Sequence, residues 1–165
     1  FFLCDTYVVD DPDAEQIAAM TLRAAEAVRR FRVEPKVALL SHSNFGSADA
    51  PSARKMREAL LLIRERAPEL EVEGEMHADA AISEDVRERI FPNSRLKGSA
   101  NLLILPTLDA ANIAFNALAV LGDGQPVGPL LLGVAKPAHV VTPSVTVRGL
   151  LNMTAIAVYD AQAKG

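Results

Sequence analysis

A chain of 165 residues and 17.7 kDa has the length of one ordinary domain, and with half its residues hydrophobic it can fill a core without metal or disulfide staples. Its 17 Lys+Arg against 21 Asp+Glu give a net charge of -4, which weighs against nucleic acid as a partner but leaves room for a small anion in one pocket. The single cysteine, Cys4, excludes an internal disulfide framework, and no apolar run reaches the roughly 18 residues that span a bilayer.

The chain opens on Phe1-Phe2-Leu3, with no initiating Met and no basic flank of a signal peptide. That opening predicts a piece of a longer protein. Residues 1–9, FFLCDTYVV, read as a first strand. Asp11-Pro12 then predicts a helix start, Asp11 as cap and Pro12 in the first turn. Ile17, Met20, Ala24, Val28 and Phe31 recur at helical spacing and predict its buried stripe. Residues 36–41, KVALLS, read as a short buried strand, followed by the polar turn HSNFGSADAPS. A second helix is predicted over about 52–66, with Ala53, Met56, Leu60 and Ile63 inward. ELEVEGEM reads as extended, and Ser83 as the cap of a short helix, EDVRERIF. Residues 101–105, NLLIL, form a nearly unbroken apolar strand of the kind covered on both faces. A helix over about 109–121 follows, with Ile113, Ala117 and Leu121 inward. Residues 127–133, VGPLLLG, read as another strand. The last helix is predicted over about 146–163, with Leu151, Thr154 or Ala155, and Val158 on its inner side.

This alternation predicts an α/β fold, a layered αβα sandwich around a mostly parallel sheet. Ligands in such folds sit beyond the carboxyl ends of the strands. The loops 42–50, 106–109 and 133–145 are therefore the places to look for a site. In the first, Ser43, Asn44, Gly46 and Ser47 follow a buried strand and precede a helix. Gly46 and Ser47 can free backbone donors for an anion there, or the segment is a capped turn that binds nothing. It lacks the lysine of a phosphate loop and the glycines of a dinucleotide fingerprint. Glu75, His77 and Asp79 alternate, and on a strand would share a face able to hold a divalent metal. The plainer reading is that Asp79 orients a turn. No serine sits in a Gly-x-Ser-x-Gly elbow, and Cys4 reads as core. In the third loop, Lys136 offers a point charge suited to phosphate, beside the rigid Pro137. Arg148 falls in the first turn of the last helix, an unfavourable end for a cation unless an anion or acidic partner lies nearby.

The segments FFLCDTYVVDDPDAEQIA, VALLSHSNFGS, EVEGEMHADAA, LKGSANLLILPTLDAANIAFNAL and GPLLLGVAKPAHVVTPSVTVRGLLNM, in that order, cover almost the whole chain. Together they resemble the phosphotransacetylase-type domain, in the version fused to the C-terminus of bacterial NADP-dependent malic enzymes. The resemblance implies that residues 1–165 are the C-terminal portion of a phosphate acetyl/butyryltransferase-like domain. Active phosphotransacetylases move an acetyl group between phosphate and coenzyme A. After their Lys-Pro pair they carry a serine followed by an arginine, then an aspartate seven residues past the serine. Aligned on Lys136-Pro137, those positions are Thr142, Pro143 and Gly149. Threonine keeps a hydroxyl; proline cannot bind phosphate, and glycine cannot take a thiol proton.

The resemblance thus implies a regulatory and oligomerisation domain that senses acetyl-coenzyme A and lacks acetyl transfer. The implied ligand residues are Ser43, Asn44, Gly46, Ser47, Lys136, Pro137, Thr142 and Arg148. The implied parent enzyme converts malate to pyruvate, with NADP and Mg or Mn held in a different domain. A homo-oligomer is expected, dimeric through this domain and higher in the full protein, cytoplasmic, with neither nucleic acid nor membrane as partner. Two alternatives stay open: an active phosphate acetyltransferase and a purely structural oligomerisation domain.

Overall fold

The computed structural model describes residues 1–143 and 145–163, so Ser144, one of the loop hydroxyls, lies outside the described residues. Chain order is β1 (Phe2–Cys4), α1 (Ala14–Arg30), β2 (Lys36–Leu40), α2 (Pro51–Arg66), β3 (Glu71–Met76), α3 (Ala78–Ile82), α4 (Glu84–Ile90), β4 (Leu102–Ile104), α5 (Leu108–Leu121) and α6 (Val147–Ala163). The strands form one sheet in the order β1-β4-β2-β3, and every pairing is parallel. The fold is α/β with helical layers on the sheet, as the alternation predicts. No helix among the described residues is long and apolar enough to cross a membrane.

The chain divides into two units, Phe1–Phe115 and Asn116–Gly165. In the first, the pleat sends alternate side chains of β2 and β4 to opposite faces. Ala38, Leu40 and Leu103 join Met76, Ala80, Ala81, Leu96 and Ala111 in one buried cluster. α1 and α2 pack on each other and against β4 and β3. Their buried residues include Ile17, Ala24, Val28, Met56, Leu60 and Ile63. Each fully buried Ile, Leu or Met side chain contributes about 1.5–3 kcal/mol.

Several expectations are corrected. The cap of α1 is Asp13, not Asp11: its carboxylate accepts from the Gln16 N–H at 2.8 Å, and Gln16 Oε1 accepts from the Asp13 N–H at 3.0 Å. Phe31 is the C-cap and lies exposed, outside the stripe. The first strand is only three residues, because the Asp5 carboxylate takes the N–H groups of Tyr7, Val8 and Val9 into a turn. In α5, Ile113 is 68% and Leu121 84% exposed, Ala117 is also exposed, and the buried position is Ala111.

The second unit carries two more corrections. Residues 127–133 form no strand. Pro129 has no N–H to give a ladder, and Gly128 and Gly133 hold φ of +142° and +81°. In α6 the predicted inner stripe faces outward: Leu151 is 67% and Val158 52% exposed, with Thr154 and Ala155 also exposed, while Met153 and Asp160 are buried.

Candidate functional site

β2 and β3 end side by side, and the chain leaving β2 is stitched to the end of β3. The Ser41 N–H donates to the Met76 carbonyl at 2.9 Å, and the Phe45 N–H to the Glu75 carbonyl at 2.8 Å. The His77 N–H donates to Asn44 Oδ1 at 2.7 Å. His77 Nε2 lies 2.8 Å from the His42 carbonyl, so that nitrogen carries the proton. Phe45 stacks on Phe91 with ring centroids 4.4 Å apart.

The four predicted residues of this loop converge. Ser43 is fully buried, and its hydroxyl donates to Glu75 Oε1 at 2.6 Å and accepts from the Ala48 N–H at 3.0 Å. Ser47 Oγ accepts from the Asn44 N–H at 2.9 Å and lies 3.3 Å from Ser43 Oγ. The two amides expected to face an anion are taken within the chain. The Gly46 N–H donates to Glu75 Oε1 at 2.9 Å, and the Ser47 N–H to the Asn44 carbonyl at 3.0 Å. Phe45 and Gly46 are both left-handed, at φ 48° and 88°, and a Cβ on Gly46 would meet nothing within 4 Å. The loop is thus rigidly built, with open space beside Gly46.

Sequence reasoning gave no role to Arg57, whose Nη1 donates to Glu75 Oε1 at 2.8 Å and to the Ala48 carbonyl at 3.1 Å. The alternation of Glu75, His77 and Asp79 allows a shared metal-holding face on a strand, with a turn oriented by Asp79 as the plainer reading. The structure separates the three: Glu75 is buried in β3, His77 is the N-cap of α3, and Asp79 caps its own neighbour, Ala80, at 2.8 Å. No cluster able to hold a metal occurs among the described residues. At the loop after β4, Thr107 Oγ1 accepts from the Ala110 N–H at 3.3 Å and starts α5.

In the second unit, Lys136, Thr142, Pro143 and Arg148 are exposed and Pro137 is half-buried. The Leu131 N–H donates to His139 Nδ1 at 3.2 Å and ties the proline-bearing loop together. Thr146 Oγ1 accepts from the Gly149 N–H at 3.0 Å, capping α6, which leaves Arg148 in the first turn as expected. A Cβ at Gly149 would press on Val145 Cγ2 at 3.1 Å and Thr146 Oγ1 at 3.2 Å.

Residues 1–158 match the family described as phosphate acetyl/butaryl transferase. The chain belongs to that family. Its sequence is 59% identical over 164 residues to the NADP-dependent malic enzyme of Escherichia coli (strain K12), covering 99% of this chain and 22% of that protein. It is 45% identical over 153 residues to the phosphate acetyltransferase of Paracoccus denitrificans, covering 92% of this chain and 48% of that one. The EutD phosphotransacetylase from Staphylococcus aureus superposes with a TM-score of 0.90 at 32% identity, over 96% of this chain and 49% of that structure. The chain therefore spans about a fifth of the malic enzyme and about half of each transferase. Sequence relates this family member to malic enzymes and to phosphate acetyltransferases alike, and its fold to phosphotransacetylases.

Proposed function

We propose that this chain is the C-terminal portion of a phosphotransacetylase-type domain in a malic enzyme, where it senses acetyl-coenzyme A and helps assemble the oligomer. The observation that carries this reading is the trio Thr142, Pro143 and Gly149, standing where the resemblance places serine, arginine and aspartate in the transferases. Pro143 removes a cation from phosphate. Gly149 removes a carboxylate that could orient or deprotonate a thiol, and its tight contacts leave a side chain there little room. What stays suits recognition. Lys136 and Arg148 are exposed cations fit for the phosphates of coenzyme A. Thr142 retains a hydroxyl, and loop 43–47 offers a rigid surface with open space at Gly46. The malate reaction, with NADP and Mg or Mn, belongs on this reading to another domain of the enzyme. Cytoplasmic location and two-fold pairing through this domain are part of the same proposal.

A second reading, acetyl transfer between phosphate and coenzyme A, is favoured by the likeness in sequence and fold to phosphate acetyltransferases. One experiment separates the two. The full-length protein is incubated with acetyl phosphate and coenzyme A while thioester is followed, and acetyl-coenzyme A is titrated calorimetrically into the same preparation. Heat of binding without turnover is expected. Robust thioester formation would establish the transferase and remove the regulatory reading; neither heat nor turnover would leave only a structural domain.

A further inference from the structure

We infer that Glu75 is the positioning residue of the ligand loop 43–47, holding it in its binding shape through Ser43, Phe45 and Gly46. This inference rests on the reading of that loop as part of a coenzyme A site. Glu75 sits at the carboxyl end of β3 and is fully buried. One of its oxygens, Oε1, gathers three donors: Ser43 Oγ at 2.6 Å, the Gly46 N–H at 2.9 Å and Arg57 Nη1 at 2.8 Å. Its backbone carbonyl takes a fourth, the Phe45 N–H at 2.8 Å.

The amides it holds belong to the two left-handed residues, Phe45 and Gly46. A bulky residue with positive φ is strained and persists only where its surroundings over-determine it. Here one glutamate does much of that, by side chain and by backbone. Hydrogen bonds to a charged acceptor are roughly twice as strong as neutral ones. Arg57 supplies the counter-charge from α2, and the Ala48 carbonyl fixes Arg57 in turn.

A purely structural role for Glu75, locking α2 to β3, is the competing account, and the fold contains its own control. Glu73 lies two residues earlier on the same strand and is nearly as buried. It pairs with Arg64 of the same helix at 2.7 Å, but its other bonds run to the N–H groups of Arg95 and Gly74, not to loop 43–47. A role confined to the α2–β3 lock is shared by both glutamates. A role in loop shape belongs to Glu75 alone. Its second oxygen, Oε2, is buried and meets no donor among the described residues. All its side-chain hydrogen bonding thus falls on the oxygen that faces the loop.

The test compares Glu75→Gln, Glu73→Gln and Ser43→Ala in the full chain. Two quantities are read: acetyl-coenzyme A affinity by titration calorimetry, and hydrogen–deuterium exchange of segment 43–48. Glu75→Gln is expected to weaken affinity about tenfold and speed exchange of the segment, while Glu73→Gln lowers the melting temperature and leaves both readouts unchanged. Ser43→Ala, which keeps the other donors, is expected to weaken affinity about threefold and carries the test if Glu75→Gln does not fold. Unchanged affinity in a folded Glu75→Gln or in Ser43→Ala overturns the inference, as does an equal loss in Glu73→Gln. If the unsubstituted chain itself shows no binding heat, the functional reading fails. In that case unchanged exchange in Glu75→Gln still overturns the loop-holding role, and faster exchange upholds it.

Discussion

At the scale of single residues, charge is placed where backbone needs an acceptor. Asp5 takes three amides after β1, and Glu75 builds the loop after β2. The sequence shows that such residues exist but hides whom they serve. In the sequence, Glu75 alternates with His77 and Asp79, a pattern open to a shared strand face or a turn at Asp79. Its real partners, Ser43 and Arg57, lie 32 and 18 positions away in sequence. Periodicity sees neighbours on one strand and cannot see partners across loops. Cys4, expected in the core, is half-buried at the end of β1, yet its thiol is strongly desolvated. Burial, and then the neighbouring Asp5 carboxylate, push its thiol from 9.0 up to about 12. Above pH 9 the unfolded chain releases this proton and the folded chain keeps it, so Cys4 withdraws stability as pH climbs from 9 towards 12. At pH 8, labelling of folded Cys4 by iodoacetamide is expected to run about a thousandfold slower than labelling of the urea-unfolded chain. Equal rates would show that the thiol is not held in its neutral form.

At the scale of elements, β2, α2 and β3 are legible in the sequence. Strong helical spacing and short apolar runs leave little choice there. α2 keeps all four predicted inward residues. It docks by a simple device: Arg57 and Arg64, two turns or about 10 Å apart, reach Glu75 and Glu73 on antiparallel-running β3. The cap of α1 was missed by two residues because both Asp11 and Asp13 suit the role, and only the Gln three residues on favours Asp13. Asp13→Ala is expected to cost about 1 kcal/mol, read as a lower urea midpoint with unchanged slope. Asp11→Ala should leave the first turn capped. The last third was read least well. A stripe on an amphipathic helix says which face wants cover, not whether this chain supplies it, and residues 127–133 combine apolar content with glycine and proline geometry that no strand ladder accepts.

At the scale of the whole molecule, the family was legible from ordered segments running through almost all of the chain, and the fold class followed from alternation alone. α5 and α6 leave apolar side chains exposed, Leu121 and Leu151 among them, and patches of this kind mark interaction surfaces. Light scattering of the full chain at micromolar concentration is expected to give a dimer, and Leu121→Asp to shift it towards monomer; a monomer throughout would refute pairing by this surface. The sheet shows the opposite policy. β3 ends the strand order, and the connection after α4 is pinned to it by carboxylates: Glu73 holds the Arg95 N–H at 2.8 Å and Glu71 the Lys97 N–H at 2.6 Å. A stray chain seeking to lengthen the sheet there would meet a segment already tethered by Glu71 and Glu73. Such a border is a poor template for fibril growth. The molecule can therefore expose a sticky helical surface while this border of its sheet stays closed to indiscriminate stacking.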